Sequence, residues 1–76
     1  MRERIKQVMK EILDLTDIPD DISQKNCNKW DSMHHLQLVV GLETEFDVSF
    51  EPEDIAKMQS ITVIEEILKP MLERIS

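Results

Sequence analysis

The sequence predicts an all-α fold: a four-helix bundle of three main helices and one short helix, with a long first loop. Three observations carry that expectation. Apolar residues recur at helical spacing in three segments, and no segment alternates with the period of a strand. Capping residues and prolines stand where those segments start, and polar stretches separate them. At 76 residues the chain makes one small domain, residues 1–76. A domain of this size buries only roughly 60% of its unfolded surface, too little to wall off a large active site.

The first helix is expected over residues 3–15. Ile5, Val8, Met9, Ile12 and Leu15 share one stripe, and Leu13 lies at its edge. Residues 16–30 follow as a 15-residue polar stretch, long for so small a domain. Ile18, Ile22 and Trp30 are its expected anchors, and a helical turn could be hidden within it. The second helix spans residues 32–46, with Asp31 or Ser32 as its N-cap. Its apolar arc through Met33, Leu36, Leu38, Val39, Val40, Leu42 and Phe46 sweeps about 220° at 100° per residue. An arc that wide predicts a central helix covered on two sides. Pro52, Glu53 and Asp54 open a short third helix that ends near Met58. Thr62 and Glu65 have capping-box spacing and are expected to open the last helix. Val63, Ile64, Ile67, Leu68, Met71, Leu72 and Ile75 share its face, and Pro70 predicts a kink or break.

The formal charge is −7, and its distribution is uneven. Residues 1–29 are balanced, residues 67–76 carry +1, and residues 30–66 set nine acids against Lys57 alone. An acidic surface of this kind disfavours nucleic acid and anionic membranes as partners. No apolar run approaches the roughly 20 residues of a membrane span. The opening Met1-Arg2-Glu3 runs directly into amphipathic sequence, which reads as a cytoplasmic protein without membrane insertion. The single cysteine, Cys27, excludes an internal disulfide.

Most arrangements that could support chemistry are weak. His34 and His35 point about 100° apart on a helix and lack further ligands beside Cys27, so no metal site is expected. Asp14, Asp17, Asp20 and Asp21 lack the spacing and the glycine of a calcium loop. Asp31, Ser32 and His35 lie within one helical turn, where a serine–histidine–aspartate relay cannot assemble. No catalytic residues are assigned, and the chain is not expected to be an enzyme.

One motif is stronger. Trp30-Asp31-Ser32-Met33 sets a hydroxyl at the mouth of the second helix, followed by Leu36, Leu38, Val39, Val40, Leu42, Glu43, Glu45 and Phe46. Phe50, Pro52, Asp54, Ile55, Met58 and Thr62-Val63 continue the pattern. From Ile5 to Leu72 the sequence resembles the acyl carrier protein family, whose modification motif is Asp-Ser-Leu at the start of the second helix. It departs from that family at Met33, which stands for the leucine, and at His34 and Gln37, where acids are common.

The resemblance implies a single role. Ser32 would accept a 4'-phosphopantetheine arm from coenzyme A, and the arm would carry acyl groups as thioesters. The implied partners are a phosphopantetheinyl transferase (a holo-acyl-carrier-protein synthase) and acyl-transferring and acyl-modifying enzymes, met by a monomeric carrier. Asp31, Met33, Glu43, Glu45 and Asp47 are the expected partner contacts. The Trp-Asp-Ser form and the histidines suggest specialised biosynthesis of polyketides or lipids, alongside fatty-acid-like pathways. Two alternatives stay open: an aminoacyl or peptidyl carrier with the same arm, and an unmodified acidic helical adaptor.

Overall fold

The computed structural model describes residues 1–75 and contains four helices: α1 (Arg2–Leu13), α2 (Ser32–Phe46), α3 (Pro52–Lys57) and α4 (Ile61–Ile75). Among the described residues the only extended pairing is one isolated bridge between Ser23 and Ser60. The fold is therefore an all-helical bundle. No described helix is long and apolar enough to cross a membrane.

Two aspartates end the first two helices. Asp14 (φ 54°) and Asp47 (φ 55°) both take the left-handed conformation, which Asp tolerates better than most side chains. The N–H groups of Asp14 and Leu15 bond the Lys10 carbonyl, and those of Asp47 and Val48 bond Glu43 in the same way. α1 thus stops two residues before the expected limit at Leu15. Leu13, expected at the edge of the stripe, is fully buried, whereas Ile12 and Leu15 are half-buried.

The chain's one glycine serves a different purpose. Gly41 lies inside α2, where a Cβ would sit 2.9 Å from Val8 Cγ1 and 3.7 Å from Ile12. The absent side chain is what lets α1 and α2 approach this closely. Around that contact Ile5, Met9 and Leu13 of α1 meet Leu38 and Leu42 of α2 and Ile61, Ile64 and Leu68 of α4, all buried. Phe46 closes one end of the core, with the Arg4 guanidinium 4.4 Å from its ring centroid.

The wide apolar arc of α2 is covered on one side only, which corrects the expectation of a central helix. Leu38, Val39, Leu42 and Phe46 are buried, but Met33 is 69% exposed and Leu36 and Val40 are each 61% exposed. Among the described helices the main packing contact of α2 is with α1, and the buried residues of α4 join the same core.

The long loop is anchored as expected, with Ile18, Ile22 and Trp30 each 2% exposed. It contains separate tight turns rather than a helix: Pro19 to Ile22, Ser23 to Asn26 and Cys27 to Trp30 are each closed by a backbone hydrogen bond. Gln24 N–H to Gln59 O (2.9 Å) and Ile61 N–H to Ile22 O (3.1 Å) tie the loop to the start of α4.

α4 begins two residues earlier than a Thr62 cap predicts. Ser60 Oγ accepts from Val63 N–H at 3.2 Å, so Ser60 is the cap and Thr62 is an exposed residue of the first turn. Glu65, expected to complete a capping box, instead pairs with Arg2 of α1. Pro70 does not break the helix, which runs through it to Ile75. Pro70 and Glu66, whose carbonyl loses its usual donor, are both exposed. Ile64 and Leu68 are buried on the expected face, and Ile67, Met71 and Leu72 are half-buried. The side chain of Ile75 lies outside the described residues.

Two substitutions test this packing. Gly41→Ala gains about 1 kcal/mol of helix propensity but drives a methyl group into Val8, and should lose about 1–2 kcal/mol net. Thermal denaturation should show Val8→Ala recovering much of that loss when the two changes are combined. Phe46→Ala should cost about 3–5 kcal/mol, read as a collapse of the cooperative melting transition.

Candidate functional site

Asp31 and Ser32 stand where the loop enters α2. Asp31 is the N-cap: its backbone is extended (φ −90°, ψ −175°), and Oδ1 accepts from His34 N–H at 2.9 Å. The same oxygen lies 2.7 Å from His34 Nδ1. The His34 backbone N–H, with its ring in support, holds the Asp31 carboxyl below its ordinary range. The cap is therefore complete above the ordinary carboxylate pKa of about 3.9 and is lost as pH falls through the lower folded value.

With Asp31 as cap, Ser32 becomes the first residue of α2, exposed to solvent. Among the described residues its hydroxyl has no hydrogen-bond partner, and the backbone N–H groups of Ser32 and Met33 have no acceptor. An exposed hydroxyl beside two free N–H groups at the positive end of a 15-residue helix suits an attached phosphate. Among the described residues no base is hydrogen-bonded to the Ser32 hydroxyl.

The other expected contacts do not surround Ser32, except for Asp31 and Met33. Glu43, Glu45 and Asp47 lie 11 to 15 residues further on, roughly 16–22 Å along the helix axis. Two of them have structural partners. Glu43 Oε2 accepts from Phe50 N–H at 2.9 Å, which holds the connection between α2 and α3. Glu45 is bound by Arg4 through Nε (3.0 Å) and through its own carbonyl oxygen (2.8 Å). Asp47 is exposed at the C-cap.

Close to Ser32 the surface is apolar instead. Met33, Leu36 and Val40 form an i, i+3, i+7 stripe, all more than half exposed. Leu36, Gln37 and Val40 share with Ile12 a shallow groove of about 350 Å³. The apolar pattern assigns Met33, Leu36 and Val40 to a covered face because hydrophobicity alone cannot separate a buried face from an exposed one. The exposed residues Met33, Leu36 and Val40 lie together at one edge of the arc, away from Leu38 and Leu42.

The ion pairs explain where the uncompensated charge lies. Arg2 grips Glu65 with Nε and Nη2 (3.2 and 2.9 Å), Arg4 holds Glu45, and Lys6 bonds Asp20. Each basic residue near the start of α1 is thus occupied by an acid from a later element. The Glu65 carboxylate raises the Arg2 pKa, and Lys6 lowers that of Asp20. At the start of α3, Glu51 and Glu53 are exposed, and Glu51 and Asp54 form a reciprocal capping box.

No protein-family model matches the chain, and no curated protein sequence matches it.

Because Glu43 holds the Phe50 backbone, its substitution reports on structure. Glu43→Ala should cost about 1–2 kcal/mol in chemical denaturation, and Glu43→Gln, which keeps an acceptor oxygen, less than half of that.

Proposed function

We propose that this chain is a carrier protein, with Ser32 as the attachment point of a 4'-phosphopantetheine arm that carries acyl groups. The observation that carries the reading is the exposed, unpartnered Ser32 hydroxyl at the first position of α2, next to two free backbone N–H groups. The group fits the residues present. The N–H groups of Ser32 and Met33 would face the phosphate, and the Asp31 side chain caps the helix without using either of them. When bound, the arm supplies a thiol that holds cargo as a thioester.

The apolar stripe supports the same reading. An arm that is loaded and unloaded by separate enzymes requires a surface they can share, adjacent to the serine. Met33 follows Ser32 directly, and Leu36 and Val40 extend the stripe by two turns without a charged side chain among the three. The acids of α3 and Asp47 then add longer-range steering toward basic partners. Chemistry on the cargo belongs to those partners. The stripe would serve an unmodified adaptor equally well, and Ser32 is what separates the two readings.

Incubation with coenzyme A and a panel of phosphopantetheinyl transferases, followed by intact-mass measurement, provides the test. Wild-type protein should gain the mass of one arm, and Ser32→Ala none while keeping its melting temperature, because Asp31 still caps α2. Leu36→Glu should slow attachment about tenfold or more at unchanged thermal stability, since the side chain is 61% exposed. Failure of every transferase to modify wild-type protein would overturn the carrier reading in favour of the adaptor.

A further inference from the structure

Trp30 closes the long loop and is 2% exposed, so its indole N–H needs an acceptor inside the protein. It donates to His35 Nδ1 at 3.0 Å, with the two ring centroids 6.1 Å apart. An indole nitrogen can only donate, so Nδ1 must present its lone pair and the ring proton must sit on Nε2. His35 Nε2 lies 2.8 Å from the Ile55 carbonyl and donates to it. One neutral, half-buried imidazole therefore joins the loop, the first turn of α2 and the middle of α3.

α3 depends on that link. Its six residues are too few to be stable alone, and none of its side chains is fully buried. Phe50 and Met58 anchor the chain on either side, and the capping box holds the first turn. His35 supplies a side-chain hydrogen bond from α2 to the α3 backbone.

We propose that His35 is a proton-operated latch between α2 and α3. The neutral ring closes it. A proton taken up from water at Nδ1 sets two N–H donors against each other, so the Trp30 bond cannot persist and the ring must turn out of its place. The Ile55 carbonyl then keeps only the Met58 N–H and loses its tie to α2, and α3 separates from the turn that carries Ser32.

The charged groups nearby are otherwise engaged. Asp31, on the same turn, is held by His34; Asp54 of α3 accepts from Glu51 N–H; Lys29 of the loop donates to the Asp14 carbonyl. Among the described residues none of these, nor Lys57 or Glu53 of α3, forms an ion pair with His35. The latch is a property of the unmodified chain and stands apart from the role proposed for Ser32.

The experiment is an NMR titration of the unmodified protein from about pH 7.5 to about pH 5, a range that brackets imidazole protonation. The Trp30 indole signal, the His34 and His35 ring shifts and amide exchange in α3 are followed together. Protection of the Ile55, Ala56 and Met58 amides and of the Trp30 indole should fall about tenfold or more as His35 titrates, while α1 and α4 hold. His35→Phe should leave α3 exchanging fast at every pH, and His34→Gln should keep the wild-type response. Unchanged α3 protection while His35 titrates would overturn the proposal, as would loss of the response in His34→Gln.

Discussion

Contact between α1 and α2 at Gly41 sets the dimensions of the whole domain. A helix normally keeps its neighbour at the distance its side chains require, and here one position has no side chain. Val8 and Ile12 occupy the space, which brings Ile5, Met9 and Leu13 within reach of Leu38 and Leu42. α4 then covers the remaining core with Ile61, Ile64 and Leu68, and Arg2 fastens α1 to it through Glu65. In a chain with so thin a core, that approach decides whether the apolar side chains interdigitate or leave gaps.

The same packing divides the two faces of α2 between different tasks. Its inner face is fixed by α1 and α4, and its outer face is left to solvent with Met33, Leu36 and Val40 upon it. Ser32 stands at the boundary, on the element that the core holds most firmly and at the end that remains accessible. Under the proposed role, rigid support and open access let partners meet the serine in a reproducible orientation. The acids are distributed in a complementary way: Glu65, Glu45 and Asp20 pair with basic residues of α1, and among the described residues Glu51, Glu53 and Asp54 form no ion pair.

Much of this was legible in the residues. Helical spacing marks α1, α2 and α4, Pro52 with the acids beside it marks α3, the limits of α2 are those expected, and Ile18, Ile22 and Trp30 anchor the loop as expected. The misreadings have specific physical causes. The stop of α1 at Asp14 depends on a left-handed residue that is not glycine, which has no strong signal in a sequence. Ser60 displaced Thr62 as a cap because the bridge to Ser23 already holds Ser60 extended, and Glu65 was drawn to Arg2 across 63 residues. Of the two residues that could cap α2, Asp31 does so and Ser32 becomes the first helical residue. The distance of Glu43, Glu45 and Asp47 from Ser32 follows from the helix rise and needed no structure. The engagement of Glu43 by the Phe50 backbone and of Glu45 by Arg4 did, because one partner is a main-chain group and the other lies 41 residues away.

The tie between the long loop and α4 imposes an order on folding. Most contacts in a helical bundle join residues close in sequence, and such chains fold fast. Gln24 with Gln59 and Ile22 with Ile61 are exceptions, each joining segments more than thirty residues apart. The loop's backbone reaches its final partners only after the start of α4 has arrived, so in a chain growing from the ribosome α1 and α2 can pair while the segment between them is still unfinished. The serine-bearing end of α2 is approached through that segment, and its last turn, Cys27 to Trp30, leads directly into it. Maturation of that end thus waits on residues synthesised well after Ser32 itself.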